Sequence, residues 1–138
     1  MHMTSQVLYT SELRTQATHL QSGSIIETDA PKDNQGKGER FSPTDLVATA
    51  LGSCMVTIMG IAARTHDIDI EGTNIDIEKI MVADPQRRIG EIKASFHFPV
   101  DKQYNDKERK ILEQAATTCP VFLSLHPDIK KTIDFNWR

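Results

Sequence analysis

Two cysteines are the residues of this 138-residue sequence with the most specific chemistry. Cys54 lies within ATALGSCMVTIMGIAA, an uncharged segment rich in small side chains, and Cys119 lies within AATTCPVFLSL. The thiolate is the reactive form of cysteine, and a helix N-terminus or a nearby cation stabilises it. The pair is therefore either a redox couple or two unrelated buried thiols, since free cysteine is also a common buried residue.

The local surroundings of the two thiols differ. Pro120 disfavours continuation of the preceding helix and suits the first position of a new one, so Cys119 is predicted at or next to a helix N-terminus. Cys54 is predicted in the middle of a helix, where apolar neighbours disfavour a thiolate unless the tertiary fold supplies a cation. Local sequence thus favours a structural role for Cys54 and leaves both roles open for Cys119.

A long helix must position Cys54. Ser42 can cap it, Pro43 suits its first turn, and Asp45 completes a variant of the capping box. From there the helix is predicted to run to Arg64 or Thr65, a length of roughly 30 Å. One stripe at i, i+4 spacing carries Cys54 together with three apolar residues, Leu46, Ala50 and Ile58.

The uncharged run of residues 46–63 approaches the lower length limit for a transmembrane helix. Threonine, serine and glycine dilute this run, and Asp45 and Arg64 flank it. A helix that is apolar nearly all round, in a chain with no other such segment, is more typical of the buried centre of a soluble fold. We therefore expect a central core helix and no membrane partner.

The other elements follow from alternation and capping patterns. Short strands with a turn at Ser22-Gly23 precede the helix, and period-two alternation marks strands over residues 75–98. Asn105, with a glutamate three residues later, starts a second helix. A last strand closes the chain over residues 132–137. This order of elements predicts an α+β fold in a single domain, residues 1–138.

Composition limits the partners and the compartment. The chain is 38% hydrophobic and 25% charged, with a net charge of −3 and no block of lysine or arginine, so nucleic acid is not expected as a partner. The first residues lack a basic segment followed by an apolar run, so we expect no secretory signal and a cytoplasmic protein. The five histidines and two cysteines show no zinc-ligand spacing, so no metal site is expected.

Two motifs together resemble a known family. The segment GERFSPTDLVATALGSC, followed at a distance by CPV and SL, with SGSIIETDAP upstream, resembles the OsmC/Ohr family of osmotically inducible and organic hydroperoxide resistance proteins, in its broad OsmC-like branch. The resemblance covers the chain from about Val7 to Trp137. It implies an α+β fold in which a long central cysteine-bearing helix and a second helix pack against antiparallel sheet, in an intertwined homodimer.

The resemblance also implies a thiol peroxidase that uses no cofactor. Cys54 would attack the O–O bond of an organic hydroperoxide, and the resulting sulfenic acid would condense with Cys119 to a disulfide that an external dithiol reduces. An apolar pocket that includes Leu51, Met55, Ile58 and Phe122 would favour bulky alkyl peroxides.

Two further site residues carry over from the family. Arg14 lies about where family members place an arginine that stabilises the thiolate, and Arg40 is a second candidate for that cation. Asp45 matches the acidic position near the helix start, although its capping role explains it equally well. Two other functions stay open: a non-catalytic dimer that binds a small apolar or thiol ligand at its interface, and a structural dimer whose thiols only pack.

Overall fold

The computed structural model describes residues 2–137, in which three helices, six strands and a short 3-10 turn at Lys32–Asn34 follow one another. In chain order the elements are β1 (Ser5–Ser11), β2 (Arg14–His19), β3 (Ile25–Asp29), α1 (Pro43–Thr65), β4 (Asn74–Val82), β5 (Arg88–His97), α2 (Asp106–Ala116), α3 (Pro120–Ser124) and β6 (Lys130–Asn136). Helices and strands thus combine as the predicted α+β class requires. The chain forms two compact units that divide between Val47 and Ala48. One domain over residues 1–138 and an intertwined homodimer stay predictions.

The first unit contains an antiparallel sheet in the order β1-β2-β3. The β2–β3 hairpin closes with a hydrogen bond from the His19 N–H to the Ser24 carbonyl at 2.8 Å. Gly23 adopts a φ of +78°, which a glycine tolerates better than other residues. The turn was predicted at Ser22-Gly23, and it lies there within the four-residue loop 20–23.

The start of α1 is built as its sequence predicts. The Asp45 backbone N–H donates to Ser42 Oγ at 3.0 Å, and the Ser42 N–H donates to Asp45 Oδ2 at 2.9 Å. Each residue thereby satisfies a donor of the other, as in a capping box. Pro43 occupies the first helical position and Thr65 the last, so both predicted helix ends are confirmed.

Burial of α1 is one-sided. Its fully buried positions form one face, which consists of Ala48, Leu51, Gly52, Met55, Met59 and Ala63. Ile61, by contrast, is 59% exposed. The helix is long and apolar enough to cross a membrane by length and composition alone, and 33% of its most apolar window is buried. Within the single chain, one face of α1 therefore packs against core residues and the other face is left exposed.

The second unit contains a sheet in the order β4-β5-β6, in which β4 and β5 are antiparallel and β6 runs parallel to β5. The predicted alternation along β5 is confirmed, since Ile92, Ala94 and Phe96 are all buried, as is Phe98 just after the strand. The parallel pairing of β6 is not predicted by periodicity, because alternation sets the faces of a strand and leaves its direction open. A parallel neighbour requires a crossover, which residues 98–129 supply with α2 and α3.

Helix α2 begins as predicted. The Asn105 side chain accepts from the Glu108 N–H at 2.8 Å, and Glu108 accepts from the Asn105 N–H at 2.9 Å, which completes a capping box. Leu112 and Ala116 are the positions of α2 that are fully buried. Helix α2 ends at Ala116, three residues before Cys119.

Candidate active site

Cys119 is the N-cap residue of α3. Its Sγ accepts a hydrogen bond from the Phe122 backbone N–H at 3.2 Å, and Pro120 stands in the first turn, so the predicted helix start is confirmed. The side chain is fully buried. A sulfur atom is thus held at a helix N-terminus and is closed off from water.

Burial outweighs the helix N-terminus in setting the protonation of Cys119. The pKa of its thiol is raised above the usual value, first because burial disfavours the charged form. The Phe122 N–H acts in the opposite direction, and the side chain of Cys54 raises the pKa further through a hydrogen bond and through its charge. The helix N-terminus, which local sequence predicted, is thus outweighed by burial in the net direction of the pKa shift.

Cys54 lies on α1, partly buried, where it packs against the core of the second unit. Its influence on the pKa of Cys119, together with their shared core cluster, indicates that the two thiols lie close together. Both cysteines are free thiols. The fold therefore brings together two thiols that are far apart in the sequence. Local sequence patterns had not decided whether the two thiols would be neighbours.

Gly52 determines how closely the Cys54 segment approaches the sheet. A Cβ atom at this position would lie 2.7 Å from Ile77 Cδ1 and 3.6 Å from Ile75 Cγ2, both on β4. At Gly60 the same atom would meet nothing within 4 Å. Glycine is therefore needed for packing at residue 52, whereas within the chain it is not needed for packing at residue 60.

The apolar residues that were expected to form a substrate pocket differ in exposure. Leu51 and Met55 are fully buried in the core, so they have no surface to offer a substrate. Ile58 and Phe122 are partly buried at the margin of the core. The expectation is therefore wrong for Leu51 and Met55, because the buried face of α1 lies beside the stripe that carries Cys54.

Arg14 is paired with a buried carboxylate in the first unit. At the start of β2, Arg14 Nε contacts Asp29 Oδ1 at 2.6 Å, and one of its terminal nitrogens, Nη2, contacts Asp29 Oδ2 at 2.9 Å. The same Nη2 donates to Glu39 Oε1 at 2.9 Å. Asp29 is 1% exposed, and the Arg14 side chain is 23% exposed. The guanidinium is therefore oriented by a two-point contact, which fixes its plane.

Each partner shifts the other's pKa. The Arg14 hydrogen bonds lower the pKa of the Asp29 carboxyl to about 2, and burial opposes that change. Asp29 in turn raises the pKa of Arg14 above its usual value. Both groups are thus charged across the physiological pH range.

Arg40, the second candidate cation, lies in a more open position. Its Nε contacts Glu27 Oε1 at 3.1 Å, and the two side chains are 44% and 39% exposed. Ion pairs between exposed side chains contribute little to stability and leave both partners mobile. Of the two arginines, Arg14 is the one that is held in a defined orientation.

The sequence reasoning missed Asp29 and Glu39 as partners of Arg14. Residue pairing in the β2–β3 hairpin places Arg14 directly opposite Asp29. A hairpin turn centred on Ser22-Gly23 would instead have placed Pro31 opposite Arg14. The length of the turn would have predicted this pairing, because each residue added to the turn shifts the register of all paired residues in the hairpin.

No metal site is apparent in the part of the chain that the structure describes. Among residues 2–137, no group of three or more histidine, cysteine, aspartate or glutamate side chains is arranged to hold a metal ion.

The chain belongs to the OsmC-like protein family, whose sequence pattern matches residues 36–134. The family is the one that the two cysteine motifs resemble. Among curated protein sequences, none matches the chain.

Solved structures share the fold over the whole length. A protein from Psychrobacter arcticus 273-4, named provisionally as an osmotic stress induced and detoxification response protein, is 51% identical with a TM-score of 0.93, over 99% of this chain and 97% of that one. An organic hydroperoxide resistance protein OsmC from Legionella pneumophila is 13% identical with a TM-score of 0.76, over 97% of each chain.

A third structure is that of an organic hydroperoxide resistance protein, also provisionally named, from Vibrio cholerae O1 biovar eltor str. N16961 with captopril in one of its active sites. It is 13% identical with a TM-score of 0.74, over 99% of this chain and 93% of that one. These two more distant structures establish the fold.

Proposed function

We propose that this chain is a thiol-dependent peroxidase that reduces organic hydroperoxides in the cytoplasm. The observation that carries the proposal is the proximity of the thiols of Cys54 and Cys119 in one core cluster. In a family whose members include organic hydroperoxide resistance proteins, two adjacent free thiols are the parts that such a reaction needs. We expect no cofactor to be required, because both redox equivalents are stored in the two sulfur atoms.

The reaction would take place in three balanced steps. The Cys54 thiolate attacks one oxygen of ROOH, the O–O bond breaks, and RO⁻ takes up a proton to leave as ROH. Cys54 is then a sulfenic acid, whose sulfur the Cys119 thiol attacks with loss of water to form the disulfide. An external dithiol reduces this disulfide by two thiol–disulfide exchanges and is itself oxidised to a disulfide.

Burial supports this assignment of roles. Cys119 is fully buried and the pKa of its thiol is raised, so at neutral pH it is mainly protonated and is poorly placed to meet a peroxide from solution. Cys54 is only partly buried. We therefore assign the attack on peroxide to Cys54 and the trapping of the sulfenic acid to Cys119.

The first unit favours a homodimer. The apolar side chains of Val7, Leu8, Tyr9, Ile25 and Ile26 are each at least 50% exposed on its sheet. These side chains lie on both faces of the sheet, and exposed apolar surface on a protein commonly marks an interaction surface. A second copy of the chain is the partner that the family resemblance suggests. From the family resemblance we also propose Arg14, whose guanidinium is oriented by Asp29, as a catalytic residue.

A non-catalytic function is the second candidate. The Vibrio cholerae structure contains captopril in one of its active sites, which is the observation that favours a chain that binds a small molecule. A chain that only binds such a ligand would leave its own cysteines unoxidised. The two functions therefore differ in what a peroxide does to the thiols.

Thiol titration separates them. Free thiols are counted with a chromogenic disulfide reagent before and after one equivalent of cumene hydroperoxide, in the wild type, Cys54→Ser and Cys119→Ser. The peroxidase is expected to lose both thiols in the wild type, the single remaining thiol in Cys119→Ser, and none in Cys54→Ser. Unchanged thiols in the wild type would contradict the peroxidase and would favour the binding function.

A further inference from the structure

The two sulfur atoms of the second unit differ in their access to solvent. Cys119 is fully buried although its chain neighbours Thr118 and Pro120 are both exposed, so its side chain turns inward. It belongs to the buried core cluster, together with Leu112 and Ala116. Cys54 is only partly buried and packs against the margin of that cluster. A disulfide between the two cysteines would therefore have one covered sulfur and one sulfur at the surface.

This difference in access decides where a reductant can begin. A thiolate can attack either sulfur of a disulfide, and it approaches in line with the S–S bond, from the side away from the other sulfur. An approach to Cys119 would have to pass through packed core side chains, because this residue has no exposed surface. An approach to Cys54 comes from the side that faces away from Cys119. Access therefore favours attack on Cys54.

The sulfur that leaves is also better prepared at Cys119. When Cys54 is attacked, the sulfur of Cys119 departs with the electron pair of the broken bond. The Phe122 backbone N–H donates to this same atom at 3.2 Å in the dithiol form. A hydrogen bond from a backbone N–H stabilises the negative charge that develops on the departing sulfur. Hydrogen bonding and access thus favour the same order of events.

The released Cys119 is a poor nucleophile for the reverse reaction. Burial raises the pKa of its thiol, so the departing thiolate takes up a proton at neutral pH. Only the thiolate attacks a disulfide at an appreciable rate. Cys119 is therefore slow to displace a reductant that has become bound to Cys54, and the second thiol of a dithiol has time to complete the reduction.

We propose that reduction of the Cys54–Cys119 disulfide begins at Cys54, so that the reductant becomes covalently bound to Cys54 and not to Cys119. The inference rests on the proposed function, which forms this disulfide. In the first step the reductant thiolate bonds to Cys54 Sγ, the S–S bond breaks, and Cys119 takes the electron pair and then a proton. In the second step the other thiolate of the reductant attacks its own bound sulfur. Cys54 leaves with the electron pair, and the reductant ends as a disulfide.

The test traps the first step with a monothiol. The full chain is oxidised with diamide, which requires no peroxide, and peptide mass spectrometry identifies the Cys54–Cys119 disulfide. Glutathione is added, the reaction is stopped after short times with acid and N-ethylmaleimide, and the mixed disulfide on each cysteine is quantified. We expect glutathione on Cys54 in excess over Cys119 by about tenfold or more, because attack on Cys119 requires a local opening of the fold. Equal amounts, or an excess on Cys119, would overturn the proposal.

The same measurement on unfolded chain is the matched control. In urea at a concentration that unfolds the oxidised protein, both sulfurs are exposed to glutathione. We expect the early mixed disulfide to be distributed almost evenly between Cys54 and Cys119. If the excess on Cys54 persisted in the unfolded chain, local sequence would be its cause, and the inference from burial would be overturned.

Two other outcomes separate this inference from the proposed function. If diamide forms the disulfide but cumene hydroperoxide leaves the thiols unchanged, the peroxidase is overturned, and the distribution of glutathione still decides the order of attack. If diamide forms no Cys54–Cys119 disulfide in the folded chain, the disulfide step of the proposed function is overturned and this inference with it.

Discussion

The contrast between the two glycines of α1 makes the structure testable by stability measurements. Gly52 is buried against β4, and an added Cβ there would lie 2.7 Å from Ile77 Cδ1 and 3.2 Å from Ile77 Cγ1. Gly60 lies later in the same helix, where an added Cβ meets nothing within 4 Å. Gly52→Ala and Gly60→Ala are therefore the same chemical change in two different packing environments.

The expected magnitudes follow from two opposing effects. Replacing glycine by alanine in a helix interior stabilises by about 1 kcal/mol, because glycine has the greater conformational freedom to lose. Forcing a methyl group into a packed interface costs about 1–3 kcal/mol. We therefore expect Gly60→Ala to raise the free energy of unfolding by about 1 kcal/mol, and Gly52→Ala to lie about 1–3 kcal/mol below it.

A third variant identifies the atom responsible. Ile77→Val removes Cδ1, the methyl group nearest to the added Cβ, and costs about 1 kcal/mol by itself. Combined with Gly52→Ala, the loss should be smaller than the sum of the two single losses by about 1 kcal/mol, because the collision has been removed.

Urea unfolding under reducing conditions, at one fixed protein concentration, measures all four variants against the wild type. The reasoning is refuted if Gly52→Ala is as stable as Gly60→Ala, or if the double variant shows no favourable coupling. Either result would mean that α1 does not approach β4 through residue 52. Peroxide reactivity of Gly52→Ala should also fall, because Cys54 lies half a turn further along the same helix.

Three further outcomes are expected. The pKa of Asp29 is about 2 in the folded chain and about 4 when unfolded, so its pair with Arg14 stabilises the fold fully above pH 4, and this stabilisation is lost as the pH falls toward 2. Urea unfolding at several pH values in this range should show that the free energy of unfolding falls less steeply with decreasing pH in Asp29→Asn than in the wild type. The same pH dependence in both proteins would contradict the pairing. Cys119→Ala should lower the free energy of unfolding by about 1–2 kcal/mol because α3 loses its cap. Cys119→Ser keeps an acceptor for the Phe122 N–H, so its free energy of unfolding should fall by less. Equal losses in the two variants would show that the cap contributes nothing to stability. Iodoacetamide should modify Cys54 before Cys119 in the reduced protein at neutral pH, because Cys119 is fully buried and its pKa is raised. Peptide mass spectrometry measures the order of modification, and the reverse order would contradict the assigned roles.

Local patterns predicted the helix boundaries well. The cap of α1 at Ser42, the capping box at Asn105 and the helix start at Pro120 are all confirmed. Each depends on residues within one helical turn, so the physics that decides it is contained in a short segment of sequence. The inward face of β5 was predictable for the same reason, because alternation between two faces is a property of the strand itself.

Long-range pairing was less predictable. The position of the β2–β3 turn was predicted, but its length was not, and that length decides that Arg14 pairs with Asp29. The parallel direction of β6 and the one-sided burial of α1 likewise depend on which elements come to lie side by side. An apolar helix carries no local mark that says which of its faces will be covered.

The two cysteines show which properties local sequence determines and which properties depend on the tertiary structure. By itself the sequence determined that Cys119 stands at a helix N-terminus and that Cys54 lies on the long helix, since capping and periodicity are local. Only the tertiary structure decided that the two thiols are neighbours, and that burial raises the pKa of Cys119 although the helix start acts to lower it. Desolvation is produced by atoms from distant parts of the chain, and it outweighs a single hydrogen bond from the next turn.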